Sequence, residues 1–411
     1  MTPRRLLLLG LVLGGAAASA PGLVLLGLLA ALADGLATLW TRHGLDRLTY
    51  ERTITRHHAV WGDTVEVGLT VRNAKALPIP WFRVDDFATE ELTVADCPLI
   101  PSNRPGLAIL RSTWTMGPFE RATRRVHVVA DRRGVFQLGP TRLSIADVFG
   151  RDARSVEREE QESLLVRPRS VPVEAPHAWR ATSGTLRSRA LSVTEDPSLF
   201  AGVRPYQRGD PRRRIHQRAT ARAGVPLSKR FDPSTPRNAI IAIDLQTHDG
   251  PAWLLAYDEE ALESIVVTAA SVARDLLVSG AAVGIAANGW SRSMSRTAYL
   301  APRPGLRHLG AIGDLLARLS LTSSTGFDRL LASLPTRMPS GSILVLVTSR
   351  DPASIVPVAR RLGAAGHEIR FVAVGPNAAT HARRAAAAGF VAAEARLESG
   401  WRTSRVLEMV S

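Results

Sequence analysis

The chain holds a single cysteine, Cys97, among 411 residues. One thiol forms no intrachain disulfide and no cysteine-based zinc centre. This usage fits a reducing compartment, and with no base near it in sequence Cys97 reads as a structural thiol. Aromatic residues are also scarce, at 5% of the chain. Signature motifs of common enzymes are absent: no phosphate-cradling Gly-x-x-x-x-Gly-Lys, no Gly-x-Ser-x-Gly elbow and no His-Glu-x-x-His. The ten histidines show no ligand spacing. His57 and His58 are adjacent in an expected strand, where their rings point to opposite faces. We therefore expect no catalytic residues, no cofactor and no enzymatic activity.

What remains is ordinary globular material, 45% hydrophobic and 22% charged. Such a balance argues against disorder, and the length implies two or three folding units. Acids are outnumbered by bases, giving a net charge of +15. That charge suits an anionic partner: nucleic acid, an anionic membrane face or an acidic protein.

From Leu6 to Ala33 no residue is charged. A membrane span needs about 20 apolar residues, and this run exceeds that. Pro21-Gly22 divides it with a turn signal. Three readings follow: a hairpin with arms near Leu6–Ala20 and Leu23–Leu39, a single kinked span, or a signal peptide cut after Ala18-Ser19-Ala20. The hairpin over residues 1–40 is preferred. Arg4 and Arg5 precede the run, and Arg42, Arg47, Arg52 and Arg56 follow it. This bias predicts that the bulk of the chain lies on the cytoplasmic side of the cell membrane.

Residues 41–168 read as short strands. Thr64–Val71 alternates polar and apolar residues, and similar runs occur at Arg124–Ala130, Val135–Leu138 and Ser163–Val166. Turn residues such as Trp61-Gly62-Asp63 and Gly139-Pro140 separate them. The spacing predicts an antiparallel β-sandwich. Residues 169–236 are rich in Arg, Pro, Gly and Ser and read as a connecting segment. From residue 237 the texture changes to buried-strand runs at Ala239–Ile243, Ala282–Ala287, Ser342–Thr348 and Ile369–Val374. Helical stretches are expected at Trp253–Ser279, Leu306–Leu319, Ala353–Ala365 and Ala378–Ala388. This alternation predicts an α/β domain with a mainly parallel sheet over 237–411.

The segment Gly202–Arg230 concentrates charge. It carries nine basic residues and one acid, Asp210, a net +8 of the chain's +15. Nucleic-acid readers interleave aromatics for stacking, and only Tyr206 and Phe231 stand near, which disfavours nucleic acid. The run Arg204-Pro205-Tyr206-Gln207-Arg208-Gly209-Asp210-Pro211-Arg212-Arg213-Arg214-Ile215-His216-Gln217-Arg218-Ala219-Thr220-Ala221-Arg222 resembles the signature of the bacterial "domain of unknown function fifty-eight" family. Arg204, Tyr206, Gly209, Asp210, Arg213, Arg214, Ile215, Ala221 and Arg222 carry the match. Pro205 and Gln217 depart from it, where the family usually has Glu and Trp. Trp61-Gly62-Asp63, Leu77-Pro78-Ile79-Pro80-Trp81, Arg133-Gly134-Val135-Phe136 and Asp147-Val148-Phe149-Gly150 extend the likeness. The resemblance implies a membrane hairpin, a β-sandwich, the signature segment and a von Willebrand factor A-like domain. It also implies partnership with a MoxR-type AAA-plus ATPase, often beside other membrane proteins.

That fold can hold a divalent metal through Asp-x-Ser-x-Ser, a distant Thr and a distant Asp, since oxygen ligands suit Mg²⁺. Here the positions read Asp244, Gln246, His248, Thr325 and Ser349, a degenerate set, and no metal is expected. One acid among nine bases, Asp210 reads as an internal anchor for neighbouring arginines. The reading is a membrane-anchored, non-enzymatic scaffold or adaptor working with the ATPase in assembly or maturation of a protein complex. The alternative is a basic module on nucleic acid or anionic membrane lipid.

Overall fold

A computed structural model describes residues 3–146, 152–176, 179, 195–207, 210–233, 238–248, 258–291, 298–398 and 400–411. The chain divides into two compact units, Met1–Arg167 and Pro168–Ser411.

The first unit opens with two helices, α1 (Pro3–Ala17) and α2 (Pro21–His43). Pro21 starts α2, where a missing N–H costs nothing, so the reversal falls at Ser19–Ala20, just before the expected Pro-Gly. The helices run antiparallel and close. A Cβ on Gly15 would lie 2.9 Å from Leu23, and one on Gly27 would lie 2.6 Å from Val12. Glycines at these positions permit the close approach. The stretch Pro21–Trp40 is long and apolar enough to cross a membrane; α1 is a shorter apolar helix.

Two sheets follow. One joins β1 (Leu48–Ile54), β3 (Thr64–Asn73), β8 (Arg121–Val129) and β5 (Thr93–Val94) in the order β1-β3-β8-β5, all antiparallel. The other runs β2-β11-β9-β4-β7-β6, with β10 (Asp152–Arg158) also paired to β9. Its members are β2 (His58–Val60), β4 (Ile79–Thr89), β6 (Ile100–Pro101), β7 (Leu107–Met116), β9 (Gly134–Ala146) and β11 (Glu162–Arg167). Alternation builds the core. Val65, Val67, Leu69 and Val71 from one sheet meet Phe82, Val84, Leu110, Leu143 and Leu164 from the other in a single apolar cluster. Inside it lies a buried polar network. Arg52 Nη1 donates to Asp86 Oδ1 at 2.9 Å, and the Tyr50 and Thr141 hydroxyls also donate to that carboxylate. Arg52 Nη2 donates to the Leu138 carbonyl at 2.7 Å. Burial pushes the Asp86 carboxyl up, against the pull of Arg52 and the hydroxyls. Cys97 is half-buried beside this core, and desolvation raises its thiol, the behaviour of an inert cysteine.

The second unit is built on an eight-stranded sheet in the order β12-β23-β22-β21-β20-β15-β16-β18. Its centre is the parallel set β22 (Val391–Arg396), β21 (Glu368–Ala373), β20 (Ile343–Thr348), β15 (Asn238–Ile243) and β16 (Ala282–Ala287). Continuous aliphatic runs such as Ala239-Ile240-Ile241-Ala242-Ile243 are buried on both faces, because apolar clusters cover each side. The covering helices include α4 (Glu259–Val278), α7 (Val356–Ala364) and α8 (Ala378–Ala387). Asp258 caps α4, its carboxylate accepting from the Glu260 and Ala261 amides, so this helix starts later than Trp253; residues 251–257 lie outside those described. Antiparallel β18 (Ala298–Arg303) and β23 (Leu407–Val410) were not legible as strands.

Residues 169–236 are more than a connecting segment. β12 (Val173–Glu174) pairs with β23 and extends the main sheet, and Val171, Val173 and Trp179 enter its core. Buried Arg370 holds Trp179 there: its Nη1 donates to the Trp179 carbonyl at 2.9 Å and its guanidinium lies over the indole. Farther on, β13 (Glu195–Pro205) and β14 (Leu227–Pro233) form a separate two-stranded antiparallel arm. Bulges between Glu195 and Gly202 break the period-two pattern that makes a strand legible.

Candidate functional site

In the parallel sheet, β15 is flanked on one side by β16, next in the chain, and on the other by β20, which comes later. The order in which strands are added therefore reverses between β15 and β20, although the two run parallel. The crevice beyond their C-terminal ends is where open α/β sheets bind ligands. Asp244 and Gln246 follow β15, Thr348 ends β20 with Arg350 just beyond, and Asn288 follows β16.

Asp244 is fully buried, and its carboxylate is crowded with donors. Asn288 Nδ2 donates to Oδ1 at 2.9 Å, the Gln246 amide to Oδ1 at 3.2 Å, and Thr348 Oγ1 to Oδ2 at 3.2 Å. Arg350 Nη1 lies 3.6 Å from Oδ2 and donates to Gln246 Oε1 at 2.7 Å. The guanidinium thus contacts two residues of the expected ligand set, Asp244 and Gln246. Even so, burial lifts the Asp244 carboxyl to about 6, with Arg350 and the hydrogen bonds pulling the other way.

The other expected positions do not converge on Asp244. Ser349 Oγ donates to the Thr247 carbonyl at 3.3 Å. Thr325 approaches through its amide, 3.3 Å from the Asn288 carbonyl, and His248 through its carbonyl, which accepts from Gln246 Nε2 at 3.2 Å. Sequence reasoning missed Asn288 and the role of Arg350. The available signal was a base, Arg350, next to Ser349, the position where a carboxylate was sought.

The family-like signature forms the tip of the β13–β14 arm. Between the strands lie a 3₁₀ turn, Arg212–Arg214, and the helix α3 (Gln217–Ala223). The His216 ring caps α3, accepting from the Ala219 amide at 3.1 Å, and Gly224 ends it at φ +70°, a left-handed conformation glycine adopts without strain. Asp210 gathers the preceding loop: Arg204 Nη2 donates to Oδ1 at 2.6 Å and the Gln207 amide to Oδ2 at 3.1 Å, while Tyr206 Oη donates to the Asp210 carbonyl at 3.0 Å. These contacts, the Arg204 bond first, hold its carboxyl below the usual carboxylate range. Ile215 bridges to Ser228, while Ala221 and Arg222 lie exposed on α3. Arg212, Arg213 and Arg218 are likewise exposed, and Arg214 is half-buried. Gly209 and Arg208 lie outside the described residues, as do Asp147–Gly150.

No protein-family model matches the chain. It is 25% identical over 245 residues to the uncharacterised protein YeaD of Bacillus subtilis (strain 168), covering 58% of this chain and 55% of that protein, so the match spans about half the relative's length. Two solved structures match over less than a third of the chain. The CARDB domain of the PF1109 protein of Pyrococcus furiosus aligns at 15% identity over 29% of this chain and 91% of its own, with a TM-score of 0.20. Trypsin-activated alpha-2-macroglobulin of Escherichia coli aligns at 20% identity over 30% of this chain and 7% of its own, with a TM-score of 0.22.

Proposed function

We propose that the protein is a membrane-anchored, non-enzymatic adaptor whose basic arm docks an acidic face of a partner protein, with the soluble units on the cytoplasmic side. One observation carries this reading: the signature residues lie on an exposed hairpin tip, with Arg212, Arg213, Arg218 and Arg222 open to solvent. An outward, single-sign surface suits steering and docking rather than catalysis in a cleft. The α/β unit is read as von Willebrand factor A-like, with Arg350 in the place of the metal. The partner, on the resemblance, is a MoxR-type AAA-plus ATPase, with other membrane proteins nearby. The antiparallel α1–α2 pair supports a hairpin anchor, which places the Arg4–Arg5 and Arg42 ends on one side.

The test is affinity capture with the full chain from detergent extract, treated with nuclease. Wild type should retain the ATPase. A variant carrying Arg212→Glu, Arg213→Glu, Arg218→Glu and Arg222→Glu should lose it. Retention by that variant, or capture of nucleic acid alone, would overturn the proposal.

A further inference from the structure

The end of the sandwich where α2 enters brings an exposed aromatic and several exposed bases together. A helix of 20 residues rises about 30 Å, the thickness of a bilayer's hydrocarbon core. Pro21–Trp40 has that length, so Trp40 stands at one boundary of the span. Its indole Nε1 donates to the Pro78 carbonyl at 2.6 Å. This bond sets the loop 74–78 at the same depth as Trp40. Just beyond, Lys75 Nζ donates to the carbonyls of Gly44 and Asp46, each at 2.7 Å, pinning that loop to the end of the helix. The Phe119 amide in turn donates to the Lys75 carbonyl at 3.1 Å, which brings the β7–β8 turn alongside. On the other flank Arg154 Nη1 donates to the Arg42 carbonyl at 2.7 Å.

The side chains here are exposed and of two kinds. Phe119 is 71% exposed, and Ala76, Pro78 and Pro118 beside it are exposed too. Around them stand the exposed bases Arg42, Arg47, Arg72 and Arg121. Phe119 also has φ +54°, in the left-handed region that a bulky residue adopts at a cost. The amide bonds of Phe119 to Lys75 and of Asn73 to the Glu120 carbonyl hold the turn in that conformation, while the ring stands out of the core. A strained, outward aromatic points to an occupant beyond the fold.

We propose that the turn Gly117–Glu120 is an interfacial anchor: Phe119 and Pro118 insert into the headgroup region of the bilayer that α2 crosses, and the surrounding arginines hold its anionic lipids. Aromatic rings settle at that depth, and basic side chains there gain from anionic headgroups. The contact seats the sandwich upright on the membrane rather than leaving it on a free tether. This inference rests on α2 spanning the membrane, and the experiment separates the two.

The full chain, with Cys97→Ser, is reconstituted in vesicles of phosphatidylcholine and phosphatidylglycerol. Nitroxide labels are placed one at a time through Pro118→Cys, Ala76→Cys, Leu32→Cys and Glu91→Cys, and their accessibility to oxygen and to a water-soluble nickel chelate is read by spin resonance. Leu32 lies on α2, and Glu91 follows β4 at the opposite end of the sandwich. We expect Leu32 deep, positions 118 and 76 at the interface, and Glu91 in water. Adding Phe119→Ser should move the label at 118 outward. If 118 and 76 read as aqueous as Glu91 while Leu32 is deep, the anchor is overturned and the span stands. If Leu32 itself reads aqueous, the span fails and the anchor with it. A label at 76 keeps the reading independent of any change that Pro118→Cys makes to the turn.

Discussion

The sandwich and the α/β unit each bury a carboxylate against an arginine, Asp86 with Arg52 and Asp244 with Arg350. The chemistry is the same and the settings differ. Asp86 sits mid-strand between two sheets, closed in by Tyr50 and Thr141, and its place in the core serves folding. Asp244 sits just past the end of a parallel strand, where the order of strands reverses. There the Arg350 side chain is 13% exposed, against 4% for Arg52. The same pairing thus stands in a closed core in one unit and at a strand end in the other.

Breaking the first pair should have the largest effect. Arg52→Ala leaves the Asp86 carboxylate buried without its cation, a change that costs about 3–5 kcal/mol. Denaturant unfolding of the sandwich transition should show that loss, and an unchanged midpoint would mean the pair is not structural.

The second pair is better probed by pH. The native Asp244 carboxyl sits at about 6, above its ordinary 3.8, so the folded state holds that proton more tightly. Its contribution is full below pH 3.8 and is lost as pH rises through 6. The change amounts to about 3 kcal/mol across this window. Asp244→Asn should flatten that part of the stability–pH curve, measured by urea midpoints. A variant curve parallel to wild type would contradict the shift.

Smaller still is the effect expected at the arm. The Asp210 carboxylate is partly solvated, so Asp210→Asn should leave the global melting temperature nearly unchanged and loosen the 204–210 loop. Hydrogen exchange at the Gln207 amide should quicken. If it does not, Asp210 is no anchor.

The least heat of all should come from metal. With Arg350 on Asp244 and Gln246, titration calorimetry with Mg²⁺ or Mn²⁺ should show no saturable site. A micromolar affinity abolished by Asp244→Ala would contradict this.

Much of the architecture could be read from the sequence because its period was unbroken. Ala282–Ala287 is a strand over the same residues as expected, and Thr64–Val71 lies within β3. Residues 391–396 were missed because an alanine-rich stretch with Glu and Arg mimics a helix surface. Its neighbours β21 and β23 supply the order. Ser19–Ala20 rather than Pro21-Gly22 makes the helical turn because Pro21 is a better first residue than a break. Asp244 and Gln246 were singled out through the resemblance to the Asp-x-Ser-x-Ser motif, at the end of a buried strand. The partner Arg350 was not, since a guanidinium replacing a cation has no spacing rule and only the folded loops bring it across.

The most direct test sets the arm against the crevice. A purified MoxR-type ATPase is titrated onto the full chain in nanodiscs at fixed salt, with wild type, Asp244→Asn and the fourfold Arg→Glu arm variant. We expect Asp244→Asn to bind as wild type does and the arm variant to lose binding. An arm variant that binds normally while Asp244→Asn fails would contradict docking through the arm and return the binding site to the crevice.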